Sequence, residues 1–512
     1  MLPRVLTIGG TDSSGAAGLQ QDQRALQCFA VHQISVVSLV SAQTHDSVLH
    51  VSPVSPASFS AQLQVAFQPQ IPAVIKVGAL ANDEQIHVLI KKLSEYPQIP
   101  VIWDPVLQTS SKSKLGDLSF DAIAGLLPYI TLITPNYDEL AWLTGFTLRQ
   151  ARDELAAAHQ LIASGCDQVL VKGGHRPDSS LRPDSGNTSE ICDVLYSKEN
   201  VRRFVHKARQ PFNLRGSGCL LASAIAGAMA EQYITEDAVS LAEAVVAAAW
   251  QQAELVLPET AVLRRPPSER EGHAEQQTPL LPASLLPHFP AVFEGLLPVE
   301  NDYFLPELLD SAPGLYPVVD SIKWLQRLLP LNLKIIQLRI KSKGAELSEI
   351  IREAVTMAAG YNTQLFINDH WQLAIEHGAY GVHLGQEDLA SADLSAIALA
   401  GLRLGISTHG YAKLCRAIQI RPSYIALGHI FPTRTKDMPS APQGTARLAD
   451  YVSLCKYHGI PTVAIGGIKL SNIDTVAATG TDAIAVVTAI TESNNPEDAV
   501  NALRGRCRRA DH

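Results

Sequence analysis

The 512-residue chain contains no Cys-x-x-Cys pair. Its seven cysteines are scattered and odd in number, which argues against a disulfide framework and against a thiolate zinc site. No apolar run is long enough to span a bilayer, and Asp12 interrupts the opening stretch MLPRVLTIGGTDSSG before a secretion-signal core could form. Basic runs are missing as well: 41 Lys and Arg stand against 50 Asp and Glu, the formal charge is −9, and only 18% of residues are charged. These absences disfavour nucleic acid or an anionic membrane as the main partner and leave small anionic ligands held at local sites. The expected protein is soluble and cytoplasmic.

Proline is concentrated in one place. About a third of the 31 prolines lie between Pro258 and Pro317, a spacing that supports neither a helical nor a strand period, because each proline removes a donor and restricts its predecessor. Residues 258–311 therefore read as a tether between two α/β domains, 1–257 and 312–512, and a cut near Glu275 is expected to leave both working. The alternative, an overgrown surface loop inside one large domain, conflicts with the rarity of long structureless loops.

In the first half, Val5 to Gly9 reads as a buried strand running into GGTDSSGAAGLQQD, with a helix opening near Gly18. Further strands are expected at Val36–Val40, Val74–Val77, Val101–Trp103, Ile130–Ile133 and Val169–Val171, with helical segments between, which implies a largely parallel sheet covered on both faces. Such sheets bind ligands beyond the carboxyl ends of their strands. There stand Asp104, then Asn136 and Glu139 three apart at a helix start, then Lys172, although each also reads as a cap, a turn residue or a surface charge. In NLRGSGCLLASAIAGAMA the turn Gly216-Ser217-Gly218 runs into a small-residue helix, so its N–H groups face whatever anion sits there, an arrangement suited to phosphoryl transfer. Cys219 at that terminus is expected to have a lowered thiol pKa and could act as a base; the competing reading is a small packing residue.

The series IGGTDSSGAAGLQQD, SAQ, KVG, WDPV, TPNYDE, VKGGH and GSGC, in this order over residues 1 to about 256, resembles the hydroxymethylpyrimidine and phosphomethylpyrimidine kinases of the ribokinase-like superfamily. The resemblance implies a ribokinase-like α/β/α domain using ATP as co-substrate and admits a homodimer. It implies that Gly10, Asp22 and Gln43 line a pyrimidine pocket and that Cys219, on the Gly216, Ser217 and Gly218 turn, is the base. Asn136 and Glu139 would serve magnesium and phosphates, and Lys172 the nucleotide. The chain departs from the family with GAAG for GGAG, Ala79 for a pocket methionine, THDS after Gln43 and Arg215 for a histidine, so the pocket should differ in shape.

The second half has a different rhythm. Eight short runs, at Leu315–Val319, Ile335–Leu338, Leu365–Ile367, Gly381–His383, Arg403–Ile406, Tyr424–Leu427, Thr462–Ile465 and Ala483–Val487, each precede a helix-length segment and match a (β/α)8 TIM barrel; a doubly wound sheet is the alternative. Polar residues cluster at the strand exits, where barrel active sites lie. Gly466, Gly467, Val487 and Thr488 read as a phosphate cradle, and Arg339, Thr433, Thr435 and Lys436 suit a second anionic group. Asp369 and Asp388 form a sparse oxygen pair of the kind magnesium takes with phosphates, or else a hydrated surface pair. His383 reads as packing or pointing along its strand and His409 as an outer group; neither reads as a base.

The motifs LYPVVD, QLRIK, ND, GVHLGQEDL, GISTH, GHIFPTRTK, AIGGI and AVVTAI resemble thiamine phosphate synthase over about residues 312 to 495. That resemblance implies that Gln337, Arg339, Lys341 and Asn368 hold a pyrimidine diphosphate, with Asp369 and Asp388 on magnesium. Ser407, Thr433, Thr435 and Lys436 would contact pyrimidine and diphosphate, and Gly467, Val487 and Thr488 a thiazole phosphate. Together the two resemblances imply a bifunctional enzyme of thiamine biosynthesis with small-molecule substrates. One rival is a first domain that binds or senses the pyrimidine without turning it over; another is a pyridoxal-type kinase fused to an unrelated barrel.

Overall fold

The computed structural model describes the chain except residues 1, 45–46, 108–114, 176–189, 208–212, 252–253, 258–259, 263–280, 296–302, 341–343, 345, 434–440 and 508–512. The chain divides into two compact units, one of residues 1–271 and 287–299 and the other of 272–286 and 300–512. Among the described residues no helix is long and apolar enough to cross a membrane.

The first unit is built on strands β1 (Arg4–Asp12), β2 (His32–Gln43), β3 (Val48–Pro53), β4 (Val74–Val77), β5 (Val101–Trp103), β6 (Leu132–Ile133), β7 (Gln168–Val171), β8 (Glu190–Tyr196) and β9 (Val201–Lys207). A small separate sheet holds β10 (Asn213–Arg215), β11 (Glu254–Leu257) and β12 (Thr260–Val262), and β13 (Ala291–Glu294) completes the main sheet, ordered β13-β9-β8-β7-β6-β5-β4-β1-β2-β3. The six strands from β7 across to β2 pair in parallel, and the outer strands β3, β8, β9 and β13 are antiparallel. The central strands are buried on both faces, as in the VIKV and VIW runs, which is why they read as continuous apolar stretches. Helices between them start where a polar side chain takes up an orphan amide: Asn82 accepts from the Gln85 N–H, and Ser55 from that of Ser58 ahead of Pro56.

The segment 258–311 is more than a tether. Its described part includes β13, paired to β9 with Val292 fully buried, and the side chains of Arg202 and Arg203 reach Glu294 and the Gly295 carbonyl. The prolines at 287, 290 and 298 flank this strand without entering it, so the ladder survives. A cut near Glu275 would thus fall between β13 and the strand it pairs with, so the cut tests whether the two halves work independently. A fragment of residues 1–271 should melt below one of residues 1–299 by roughly 5 °C, from about 2 kcal/mol of lost apolar burial and pairing. Calorimetry giving equal midpoints would show that β13 contributes no stability.

The second unit is a closed barrel of β14 (Gly314–Val319), β15 (Ile335–Leu338), β16 (Gln364–Asn368), β17 (Gly381–Leu384), β18 (Arg403–Thr408), β19 (Tyr424–Gly428), β20 (Thr462–Ile465) and β21 (Ala483–Val486), joined in sequence order with β21 closing on β14. Every pairing is parallel, and helices follow the strands, so the eight-unit expectation stands. Tyr316, Phe366 and Tyr424 fill the barrel interior with edge-on rings, among smaller residues such as Ala426, Ala483 and Ala485. A Cβ at Gly405 would come within 2.2 Å of the Tyr424 ring, so glycine there makes room for it.

Candidate active sites

In the first unit β1 pairs with β4 on one side and β2 on the other, and the topological switch point lies between β1 and β4. Asp22, on the helix Gly18–Leu26 that follows β1, meets Lys76 of β4 there at 2.8 Å, and both side chains are fully buried. The Ser223 hydroxyl donates to the same Asp22 oxygen at 2.8 Å. Removing one member of such a buried pair strands the other charge, at a cost of about 3–5 kcal/mol. A second pair stands at the ends of β5 and β7: Lys172 Nζ donates to Asp104 Oδ1 at 2.8 Å and lies 3.7 Å from Glu139, while Thr134 Oγ1 reaches Asp104 at 3.4 Å.

The turn that opens the helix Ser217–Ala230 is held against these pairs. Gly216 takes φ 84°, and a Cβ there would press within 2.1 Å of the Ala16 carbonyl oxygen, so the conformation and the contact both demand glycine. A Cβ at Gly218 would lie 3.2 Å from Lys172 Nζ and 3.7 Å from Asp104 Oδ2, which places the first amides of this helix beside the second ion pair. The structure thus brings Asp22, Lys172, Glu139 and the 216–219 turn together. Gln43 anchors the neighbouring wall, where its N–H and carbonyl both bond Ser13 Oγ at 2.8 Å. Gly10 lies at a register shift in β1, with the Leu39 side chain filling the place a Cβ would take.

The expected lowering of the Cys219 pKa is not found. Burial pushes its thiol up to about 12; Lys76 and the Gly18 N–H pull the other way, but Asp104 and Asp22 add to the rise. Lys76 itself is held protonated: burial opposes its charge, and Asp22, Cys219 and Asp104 outweigh the burial. Asp104 stays below the usual carboxylate range, because Lys172 and Lys76 outweigh its burial. Glu139 rises to about 7, chiefly from burial, with Lys172 opposing and Asp104 assisting. Asn136 and Glu139 also cap one another: Asn136 Oδ1 accepts the Glu139 N–H at 2.8 Å, and Glu139 Oε2 accepts the Asn136 N–H at 2.7 Å.

Lys76 escaped the sequence reading because it sits inside an apolar run; a lone charge in a strand buried on both faces was the available signal. Asp104 Oδ2 is buried without a hydrogen-bond partner beside the Gly218 turn. A buried orphan oxygen next to an anion-facing turn fits a hydrated magnesium ion accompanying nucleotide phosphates.

In the barrel the candidate residues gather at the carboxyl ends of the strands. Gln337 and Asn368 are buried in β15 and β16, and Asp369 follows with φ 64°, a left-handed conformation that aspartate tolerates better than most residues. The Asp369 carboxyl is within hydrogen-bonding reach of Asp388, on the short helix Gln386–Leu389; burial, then Asp388, push it above its usual range, and Arg339 pulls it back. Two crowded carboxylates fit an oxygen-seeking cation such as magnesium. No group of three His, Cys, Asp or Glu side chains suited to a metal occurs among the described residues, so this pair would rely on ligands from substrate.

Gly467 takes φ 64° against the Pro432 carbonyl, and Val487 and Thr488 open the short helix Thr488–Thr491. Thr433 is described at the end of its loop, while Lys341, Thr435 and Lys436 lie outside the described residues. His383 does more than pack. Its Nε2 bonds Ser407 Oγ at 2.7 Å and its Nδ1 bonds Tyr424 Oη at 2.8 Å, which in turn meets Tyr316 Oη at 2.9 Å. The Gln337 side chain bonds both tyrosines, so two candidate substrate residues from β15 and β18 are joined through one buried polar chain. Sequence spacing could not reveal this chain, because its members come from five different strands.

Residues 12–260 match the family model described as phosphomethylpyrimidine kinase, and residues 315–490 that described as thiamine monophosphate synthase. A thiamine-phosphate synthase of Pectobacterium atrosepticum is 56% identical over 205 residues, covering 38% of this chain and 96% of that protein. Among solved structures, a phosphomethylpyrimidine kinase from Clostridium difficile is 27% identical with a TM-score of 0.40, covering 47% of this chain and 96% of that one. A pyridoxal kinase from Staphylococcus aureus in complex with ADP is 24% identical with a TM-score of 0.48, covering 58% of this chain and 100% of that one. Through its barrel the chain belongs to the thiamine-phosphate synthase family, and with a region ahead of the barrel that matches the phosphomethylpyrimidine kinase model it is a bifunctional transferase of thiamine biosynthesis.

Proposed function

We propose that the first domain uses ATP to phosphorylate 4-amino-5-hydroxymethyl-2-methylpyrimidine and then its monophosphate, and that the barrel couples the resulting diphosphate to thiazole phosphate, giving thiamine phosphate and pyrophosphate. The observation that carries this reading is the meeting of the Gly216–Cys219 turn with the Lys172–Asp104 and Asp22–Lys76 pairs, in a chain whose other half is a synthase barrel.

In the first domain the turn amides and Lys172 would hold the phosphoryl oxygens in place, which is most of what a loose phosphoryl-transfer transition state requires. Asp22 would accept from the pyrimidine, Gly10 and Gln43 would shape its pocket, and Cys219, in the thiolate form left once its own proton has gone to solvent, would take the alcohol proton as the oxygen attacks, with Lys76 offsetting the thiolate charge. Asn136 and Glu139 would hold magnesium with the phosphates, and in the barrel Asp369 and Asp388 would hold it, where it supplies neutralisation of the diphosphate.

In the barrel, Arg339, Lys341, Thr433, Thr435 and Lys436 would bind the diphosphate, and Gln337, Asn368 and Ser407 would orient the pyrimidine. Gly467, Val487 and Thr488 would take the thiazole phosphate. The electron-rich pyrimidine supports positive charge at its methylene carbon as pyrophosphate departs, and the thiazole nitrogen captures that carbon, so no protein nucleophile is needed.

A second reading, a first domain that only senses pyrimidine, draws on Cys219 being held as a neutral thiol and on Ala79 in the pocket region. Supplying the pyrimidine alcohol, ATP, magnesium and thiazole phosphate to the whole chain should yield thiamine phosphate. Coupling from supplied diphosphate, without any ATP consumption on alcohol or monophosphate, would decide for the sensor.

A further inference from the structure

Lys172 is fixed on both sides of its own peptide. Its N–H donates to the Pro135 carbonyl at 2.9 Å, and the next amide, that of Gly173, donates to Asp193 Oδ1 at 2.7 Å. Gly173 is pressed so closely onto the strand that carries Asp193 that a Cβ would meet the Cys192 carbonyl oxygen at 2.1 Å. Asp193, on β8, is buried and stands within hydrogen-bonding reach of Glu243, on the helix Thr235–Gln251, which is also buried. Glu243 Oε1 is buried and has no donor as the carboxyls stand, and His206 Nε2, from β9, lies 3.2 Å from Glu243 Oε2. Two buried carboxyls within hydrogen-bonding reach of one another disfavour double ionisation, and a proton held on Asp193 gives their contact a donor.

We propose that Asp193 and Glu243 share a single proton and together act as a positioning device that grips the Gly173 amide and so holds Lys172 for the nucleotide phosphates. The inference rests on reading the first domain as an ATP-using kinase. Neither side chain touches the nucleotide or the reacting atoms; they act through one backbone N–H. Among the described residues, the groups that face the pair include His206 from β9, the Gly173 amide from the loop after β7, and the two carboxyls themselves. Burial, then Glu243, keep the Asp193 carboxyl protonated well above its ordinary range. The sign follows: below that raised pKa the shared proton is present and the grip holds, and above it the pair becomes doubly charged and pushes apart.

Asp193→Asn keeps the oxygen that accepts from Gly173 and replaces the shared proton with a permanent N–H donor to Glu243, whereas Asp193→Ala removes both. In the full-length protein, KM for ATP should stay within about threefold of wild type in Asp193→Asn and rise about tenfold or more in Asp193→Ala, with a smaller change in kcat. As pH rises through the raised Asp193 pKa the ratio of wild-type KM to Asp193→Asn KM should climb, because other titrating groups cancel in the ratio. Hydrogen exchange of the peptide spanning Val171–Gly174 should quicken with pH in wild type more than in Asp193→Asn, and this readout needs neither ATP nor a folded alanine variant. A pH-independent ratio together with unchanged exchange would overturn the proposal, as would an Asp193→Asn variant as impaired as Asp193→Ala. If the wild type neither binds nor consumes ATP, the kinase reading fails, and the exchange measurement alone then decides for or against the grip.

Discussion

Replacing Cys219 with alanine is expected to lower kcat for phosphorylation of the pyrimidine alcohol by about 10²–10⁴-fold, the usual worth of a positioned general base, with little change in KM for ATP. The argument rests on where the thiol stands. Cys219 lies at the start of a helix beside Lys76, yet burial and the nearby Asp104 and Asp22 push its pKa up to about 12. At neutral pH it is therefore a neutral thiol and can accept no proton in advance of the reaction. It can serve as the base only in its minor thiolate form, after its own proton has left to solvent, and Lys76, fixed by Asp22, stands in place to offset that charge. A variant with wild-type kcat would leave Cys219 as a packing residue and remove it from the chemistry.

The same geometry predicts the form of the pH profile. With its pKa raised to about 7, Glu139 is protonated on the acid side and gains its charge as pH rises through that value. If the Glu139 carboxylate is the working form, kcat/KM for phosphorylation gains a limb through about 7, and with the Cys219 thiolate as base the rate goes on rising on the alkaline side instead of levelling. Glu139→Gln should be slow at every pH and lack the limb. A limb that survives in Glu139→Gln would have to come from another group.

For the barrel, Asp369→Asn should lower coupling of supplied diphosphate and thiazole phosphate by about 10²–10³-fold, while ATP-dependent phosphorylation by the same protein is unchanged and serves as an internal control. Asparagine is the informative choice because position 369 has φ 64°, where alanine would add a backbone strain of about 1–2 kcal/mol that asparagine largely avoids. The substitution takes away charge and leaves shape. Excess magnesium should recover part of the rate, because the loss lies in holding the cation with the diphosphate. Unchanged coupling across magnesium concentrations would remove Asp369 from the metal site.

The barrel was the most legible part of the chain. Each of its strands is buried on both faces, so each appears as a short apolar run, and Ile335–Leu338 and Thr462–Ile465 coincide with the observed elements residue for residue. In the first half the central runs Val74–Val77 and Val101–Trp103 were equally plain. The outer strands β3, β8, β9 and β13 were not, because antiparallel strands near a sheet edge mix exposed and polar residues with buried ones and depend on distant partners. Nothing local to Ala291–Glu294 says that it pairs with a strand some ninety residues earlier.

The candidate sites divide in the same way. Which residue types stand at the strand exits, and in what order, was determined by the sequence alone: Asp22, Lys172 and the GSGC turn in one half, Asp369 and Asp388 in the other. Only the tertiary structure decided what those groups become. Lys76 turns from an oddity in an apolar run into the partner of Asp22, and Cys219 from an activated thiol into a neutral one. His383 becomes a link between Ser407 and the barrel tyrosines, and Asp193 a hand on the Gly173 amide. The reason is physical. Helix and strand periods are written in neighbouring residues, whereas desolvation and charge pairing depend on segments brought together across the fold, and these set the state of Cys219, Glu139 and Asp369.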